Sequence, residues 1–481
     1  MTKKKFTNSS WLILLILISG NVHSQQSAKD SLIGIWQGTM QTKIGSLEVF
    51  FTFESKAGNG YIAKADIPAQ QVRNMPVTTV RFAAPDLVLD LSSFGIVFEG
   101  KVNADFSSIT GQFKIGEESM TLVLHRSAAG VPQMRRPQDP QKPYPYEEIE
   151  ARVPNAQAGI SLGGTLTIPS GAGPFPAVVL ISGSGPNDRD ENMAGHRPFL
   201  VIADALTRRG IAVLRCDDRG VGGSEGDFHR ATTVDFALDA QAAWEFLARQ
   251  PRIDGKKVGL LGHSEGGLIG PMAAAGNPNV AFVVMLAGTG IPGERMALIQ
   301  VETVSRSRGA GEAAIGKERR FYEGMLQVIK TQENARAAEA AIRRLIAEAL
   351  AGMSEAEKKE LNVSEKSLIQ DMIEYLADYP WNRFIMSYDP AAALGKVRCP
   401  VLALNGDKDT QVPADIHLAA IEQALRDAGN TRSEVRKVPG LNHMFQTAKT
   451  GHPREYRDIE ETISPAVLQL VGDWILKVVR D

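Results

Sequence analysis

The sequence predicts a doubly wound, mostly parallel α/β sheet with a helical cap insertion, preceded by a small all-β barrel or sandwich. Three observations carry that expectation. From residue 147 onward, short apolar runs alternate with helix-length stretches, the pattern of strand–helix–strand crossovers. Between residues 291 and 395 the alternation stops, and a stretch rich in Ala, Glu, Arg, Lys and Leu takes its place. Before residue 127 the period is two, with turn residues at short, regular intervals.

The N-terminus reads as a targeting signal. Lys3, Lys4 and Lys5 form a basic start, Trp11 to Ile18 a short apolar run, and Val22-His23-Ser24 the small residues a signal peptidase reads. Cleavage is expected after Ser24, giving an exported product, periplasmic or extracellular. The apolar run falls well short of the roughly 20 residues needed to span a bilayer. No cysteine lies at the cleavage site to carry a lipid, so no stable membrane anchor is expected after cleavage.

Residues 30–126 are expected to form the all-β domain. Leu47–Phe53, Leu87–Leu91, Ile96–Val102 and Met120–Leu124 read as strands. Turns are marked by Gly45, Ala57-Gly-Asn-Gly60, Ala84-Pro85, Asn103-Ala-Asp105 and Gly111. Gly34-Ile-Trp36-Gln-Gly38 resembles the G-x-W opening of lipocalin-like barrels. That resemblance implies a Trp36 plugging the barrel base, in a domain that packs as an accessory or binds an apolar ligand or glycan. Residues 127–146 hold Pro132, Pro137, Pro140, Pro143 and Pro145 and read as a semi-rigid linker.

The remaining residues, 147–481, follow in order. Glu148–Val153 and Ile160–Ile168 read as an antiparallel pair, and Ala177–Ser182 as the first parallel strand. A helix at Phe199–Arg209, a strand at Ile211–Cys216 and a helix at Val234–Arg249 come next. Val258–Gly262 and Ala281–Ala287 are further strands. After the cap, where Ser354-Glu-Ala-Glu357 reads as a capping box, Val401–Asn405, a helix at Ile416–Ala428, Glu434–Val438 and a helix at Pro465–Val479 complete the alternation.

Length and charge narrow the function classes. The chain has 481 residues, with 53 basic and 55 acidic side chains well mixed and a net charge of -2. That balance argues against nucleic-acid binding and against a polybasic membrane surface. Two cysteines occur, Cys216 and Cys399. They are placed at opposite edges of the expected sheet, so two free thiols are predicted. No His/Cys cluster has metal-ligand spacing, and no cofactor or metal is expected.

The chemistry concentrates at Val258-Gly-Leu-Leu-Gly-His-Ser-Glu-Gly-Gly267. An apolar run, a Gly262-His263-Ser264-Glu265-Gly266 turn and a small-residue run read as strand, sharp elbow and helix. The elbow exposes the Ser264 hydroxyl above the sheet edge. Serine is a poor nucleophile at neutral pH and needs a base, which in turn needs an orienting carboxylate. Gly406-Asp407-Lys408-Asp409 follows one later strand and Pro439-Gly-Leu-Asn-His443 the next. Ser264, Asp409 and His443 thus occur in the chain order Ser…acid…His.

On these motifs residues 147–481 resemble the α/β-hydrolase superfamily. They look most like its bacterial branch of serine-aminopeptidase-like esterases, with Gly-His-Ser-Glu-Gly-Gly at the elbow. The resemblance implies an acid in a Gly-x-x-Asp pattern before Val-Pro, which maps onto Gly406…Asp409 and Val412-Pro413; Asp407 is the rival acid. It also implies an oxyanion loop at Ser182-Gly-Ser-Gly185, with Ser182 where many members have histidine. The backbone N–H groups of Ser184 and Glu265 are the expected oxyanion donors. Arg189 and Asp190 in that loop would contact substrate or pair with each other. Asp217-Asp-Arg-Gly-Val-Gly-Gly-Ser224 resembles another family loop and reads as a tight turn held by Asp and Arg. It lacks the signatures of a phosphate or dinucleotide site.

His443 is the expected base by position. His263 lies inside the elbow and is expected to pack beside the strand. His196, His229, His417 and His452 are expected at the surface or behind the site. The expected activity is hydrolysis of carboxylic esters of small or medium acyl groups. A peptidase acting on short peptides and a non-catalytic ligand-binding protein are the alternatives.

Overall fold

The computed structural model describes residues 32–480 except 43–44, 57–59, 69–71, 117, 129, 132–134, 308, 332–334 and 352–379. The expected signal, its cleavage site and the capping box at Ser354–Glu357 lie outside the described residues. The chain divides into two compact units, one ending at residue 132 and the other beginning at 133.

The first unit is one antiparallel sheet of nine strands: β1 (Gly34–Thr42), β2 (Gly45–Lys56), β3 (Gly60–Ile67), β4 (Val72–Pro76), β5 (Thr79–Ala83), β6 (Asp86–Leu91), β7 (Ile96–Val102), β8 (Ser108–Ile115) and β9 (Glu118–Arg126). Their order is β4-β3-β2-β1-β9-β8-β7-β6-β5. It is therefore not a two-sheet sandwich. The edge strands β4 and β5 are consecutive in sequence, and at their join Val77 N–H reaches Ala63 O (3.0 Å) while Thr78 N–H reaches Asp90 O (2.8 Å). The sheet curls around a core that includes Trp36, Phe51, Phe53, Phe98 and Phe113. Trp36 is fully buried. Its Nε1 donates to Leu32 O (2.8 Å), and the Arg126 guanidinium lies 4.5 Å from its ring centre.

The second unit is built on eight strands: β10 (Glu147–Asn155), β11 (Ile160–Ile168), β12 (Phe175–Ile181), β13 (Ala212–Cys216), β14 (Ile253–His263), β15 (Val283–Leu286), β16 (Val401–Gly406) and β17 (Ser433–Val438). Their order is β10-β11-β13-β12-β14-β15-β16-β17. The β10–β11 and β11–β13 pairs are antiparallel and the rest parallel. This is the doubly wound sheet that the sequence predicts. The parallel strands are buried on both faces, so they read as continuous apolar runs. Val179 and Ile181 face one core, while Val178 and Leu180 face the other. The first core lies under α2 (Thr233–Ala248), α3 (Gly266–Gly276) and α9 (Ala414–Asp427). The second lies under α1 (Pro198–Thr207) and α10 (Pro465–Val478).

After β12 the chain builds β13 on one side and then returns to place β14 on the other. The sheet order reverses there, and the crevice at the carboxyl ends of β12 and β14 is where such sheets bind ligands. The cap contributes α4 (Gly293–Ser307), α5 (Glu312–Thr331), α6 (Ala335–Ala351), α7 (Pro380–Ser387) and the short α8 (Ala391–Leu394). It has its own small core of Met325, Val328, Ile329, Ala338, Ile342 and Ile346.

Part of the Pro-rich stretch is held to this second unit. The Arg136 guanidinium donates to the carbonyls of Gly195, Arg457 and Ile459, and Gln138 bonds both the N–H and the C=O of Ile463. Cys216 and Cys399 are free thiols. No helix among the described residues is long and apolar enough to cross a membrane.

Candidate active site

β14 delivers Ser264 to the crevice. The residue has φ +54°, a left-handed conformation that a non-glycine residue holds only where the surroundings enforce it. Ser264 N–H donates to Leu286 O at the end of β15 (2.8 Å). The flanking glycines are steric necessities. A Cβ on Gly262 would sit 1.8 Å from Gly266 O, and one on Gly266 would sit 2.1 Å from Ile181 O of β12. The turn therefore closes only with bare backbone at both positions.

The loops after β16 and β17 meet beside it. His443 Nδ1 lies 2.7 Å from Asp409 Oδ2. Asp409 Oδ1 accepts from the N–H groups of Gln411 and Val412, both at 2.8 Å, so the carboxylate is fixed before it orients the ring. Both side chains are almost fully buried, His443 at 3 % and Asp409 at 5 % exposure. Asp407 points elsewhere, accepting from Gly440 N–H (2.6 Å). The rival acid thus shapes a turn, and Asp409 is the carboxylate on the histidine.

The loop after β12 faces Ser264. Gly183 N–H is committed to Glu191 Oε1 (2.7 Å). Ser184 and Glu265 line the same cavity as Ser264 and His443. Asp218 braces the loop from behind by accepting from Ser182 Oγ (2.7 Å) and Asn187 N–H (2.8 Å). Burial pushes its carboxyl up to about 7. The Glu265 carboxylate is nearly buried and accepts from Thr233 Oγ1 (2.7 Å) at the start of α2 and from Trp381 Nε1 (2.6 Å) on α7. Burial raises its pKa above the usual carboxylate value, and the bonds from Trp381, Thr233 and Ser184 offset only part of that rise.

The charged loops resolve into ion pairs. Arg189 donates to Asp217, Glu150 and Thr165, and Asp190 pairs with Arg215. Asp217 holds its own turn by accepting Gly223 N–H (2.8 Å), and Arg219 pairs with Asp239 (2.7 Å). That is the tight turn held by Asp and Arg. Two histidines expected at the surface or behind the site are fully buried. His196 bonds Thr462, Tyr456 O and Gln446, and His417 accepts Gly290 N–H. Burial pushes each down to about 4, so they are neutral packing groups at pH 7. His229 and His125 are exposed. His263 contacts Glu191 and the His443 carbonyl rather than Ser264.

Ser264, His443 and Ser184 open into a cavity of about 260 Å³. Its outer wall is apolar and comes largely from the cap, through Met296, Ala297, Trp381, Ile385 and Met386. Gln300, Gln411 and Thr289 add neutral polar groups. Among the described residues lining it there is no lysine or arginine.

Sequence reasoning missed Glu191, Asp218 and Trp381. Each reaches the site through a partner distant in the chain: Glu191 lies 72 residues from His263, and Trp381 lies 116 from Glu265. No spacing rule connects such pairs.

A family model described as X-Pro dipeptidyl-peptidase (S15 family) matches residues 158–432, more than half of the chain. The chain is 25 % identical over 322 residues to an esterase of Thermotoga maritima, EstD, covering 66 % of each protein and thus just under two thirds of that esterase's length. Among solved structures, a dienelactone hydrolase from Anabaena variabilis matches 69 % of this chain and 99 % of its own at 17 % identity and TM-score 0.38. An esterase of Pyrococcus furiosus matches 72 % and 98 % at 13 % identity and TM-score 0.42.

Proposed function

The chain belongs to the X-Pro dipeptidyl-peptidase (S15) family, and from that premise we propose that it is an exported serine hydrolase cleaving carboxylic esters of small or medium acyl groups. One observation carries the reading. His443, bonded to Asp409 at 2.7 Å, lines the cavity that also holds Ser264 on its left-handed elbow.

The roles follow from the atoms. Ser264 Oγ attacks the ester carbonyl while His443 Nε2 takes its proton, and Asp409 stabilises the imidazolium through Nδ1. The N–H groups of Ser184 and Glu265 receive the oxyanion, each contributing on the order of 3 kcal/mol to the transition state. His443 then returns the proton to the leaving alcohol, leaving an acyl-Ser264. Water, deprotonated by the same histidine, releases the acid.

The cavity supports an uncharged, compact substrate. Its volume of about 260 Å³ falls just below the roughly 300–1,000 Å³ of drug-sized sites. Its walls are largely apolar, with neutral polar groups and the Glu265 carboxylate, and no lysine or arginine is among the described residues lining it. A short-peptide substrate is the second reading, favoured by the family's name and by the Glu265 carboxylate in the cavity. Against it, Glu265 already accepts from Thr233 and Trp381, which competes with a substrate ammonium.

The test is turnover of p-nitrophenyl esters of increasing chain length beside aminoacyl and Xaa-Pro p-nitroanilides. Ester hydrolysis that fades with chain length and falls by at least about 10⁴-fold in Ser264→Ala is expected. Anilide turnover with little ester activity would move the reading to a peptidase. Failure of a fluorophosphonate to label Ser264 would leave a binding protein. Export is supported by the charge and apolar pattern of residues 1–24, and the N-terminal sequence of protein recovered outside the cytoplasm checks it.

A further inference from the structure

We infer that His263 and Glu191 form a charged positioning pair beneath the catalytic centre, an imidazolium–carboxylate bridge that ties the oxyanion loop to the loop of the catalytic base. The inference rests on the Ser264–His443–Asp409 reading, because it concerns what holds those parts in register.

The geometry fits a doubly protonated His263 facing an ionised Glu191. Its Nδ1 lies 2.9 Å from Glu191 Oε1 and its Nε2 lies 3.0 Å from the carbonyl oxygen of His443. A carbonyl is only an acceptor, so Nε2 must carry a proton. An ionised Glu191 is likewise only an acceptor, and opposite it Nδ1 carries a proton too. A neutral ring beside an ionised Glu191 would set a lone pair against one of these oxygens. Both groups are buried, with Glu191 at 0 % and His263 at 5 % exposure. An unpaired charge in that enclosure would be costly, so each group requires the other.

The bridge has two functional ends. Glu191 Oε1 also accepts Gly183 N–H (2.7 Å), which sets the backbone immediately before Ser184. Glu191 itself has φ +52°, a conformation that a bulky residue keeps only under constraint. At the other end the bond to the His443 carbonyl fixes the backbone of the base. The two imidazoles lie 4.9 Å apart, centre to centre. One proton on His263 therefore sets the distance between the oxyanion donors and the general base.

The charged groups facing the bridge are few. Glu191 comes from the loop after β12, and His443 and Asp409 come from the loops after β17 and β16. Asp218 acts on Glu191's side. Burial lowers the proton affinity of His263, but Glu191, the His443 carbonyl and Asp409 outweigh it and raise its pKa above the ordinary value. For a raised histidine, the stabilisation is complete below the unfolded value of about 6.5 and is lost as pH rises through the folded value. Activity should therefore have an alkaline limb set by His263 rather than by the triad.

Glu191→Gln tests this. Glutamine keeps an oxygen that can accept from Gly183 and from His263 but removes the charge that holds the proton. The alkaline limb of kcat on an ester substrate is expected to move down by about one pH unit or more. At pH 8 kcat should fall about tenfold or more while KM stays within about twofold. A profile superimposed on the wild type would overturn the inference. Ser264→Ala, measured alongside, separates this failure from failure of the serine-hydrolase reading, since hydrolysis that survives it would remove the triad itself. Should Glu191→Gln not fold, histidine-selective nitrogen NMR of the wild-type chain decides. An imidazolium with both ring protons shielded from exchange is expected to persist to pH 8, and its absence at pH 7 would overturn the pair.

Discussion

Two aspartates separated by one residue, Asp407 and Asp409, have opposite fates because their carboxylates meet different parts of the loop after β17. Asp409 takes two backbone N–H groups and the His443 ring, while Asp407 takes Gly440 N–H and leaves the site. Asp409→Asn is expected to leave the fold intact and lower kcat on esters by about 10⁴-fold, since an amide presents the wrong partner to Nδ1. Asp407→Asn, which keeps an acceptor for Gly440, should change kcat by less than about threefold. Steady-state kinetics on the two purified variants checks both. The serine and histidine could be read from the chain because each sits in a motif with its own turn chemistry. The choice of acid came only from a family pattern, since Asp407 and Asp409 are equally good turn residues by sequence. Glu191 was beyond sequence reasoning: it stands in a run of mixed charge, and only the return of β14 beside β12 brings His263 to it. Ser182, which the resemblance sets where many family members have histidine, donates its hydroxyl to Asp218.

At the scale of elements, the elbow and the cap obey different physics. The elbow is steric. Gly266→Ala puts a methyl 2.1 Å from the Ile181 carbonyl, so β12 or α3 must shift, and a loss of about 2–4 kcal/mol in unfolding free energy is expected by denaturant titration. The cap instead meets the site through individual bonds, among them the one from Trp381 Nε1 on α7 to Glu265. Trp381→Phe keeps a ring in the cavity wall but removes this charge-assisted bond, of about 1.5 kcal/mol. Because that bond locates the cap and does not touch the reacting atoms, KM for an ester should rise about tenfold with kcat little changed. A fall in kcat alone would contradict that division. The buried parallel strands and the helices around them were legible within a residue or two, because two-faced burial writes long apolar runs into sequence; the exception is β14, read from Val258, which begins at Ile253. The first sheet was less so. β1, β3, β4, β5 and β8 went unread, since short strands such as Thr79–Ala83 carry only two partly buried residues.

For the whole molecule, the question is whether the two units need each other. Each strand pairs only within its own sheet, and each unit closes its own apolar core. Every group assigned to the chemistry, from Ser184 to His443, lies in the second unit. The residues from Arg136 to Gln138 are bonded into that unit through the loop at Arg457–Ile463. A truncation that removes those residues would strip hydrogen-bond partners from the carbonyls there, whereas a cut before them would not. A chain beginning at residue 133 is therefore expected to fold alone, with ester kcat/KM within about threefold of the full protein and a single cooperative unfolding transition. A chain beginning at residue 147 should have the same catalytic groups but lower stability, because the Arg136 and Gln138 bonds are gone, each contributing about 1 kcal/mol net. Thermal unfolding of the two truncations side by side measures the difference. Equal melting temperatures would mean that the Pro-rich stretch is an unattached spacer, as its composition alone suggests. A collapse of activity in the chain beginning at 133 would instead make the first unit part of the enzyme rather than an accessory.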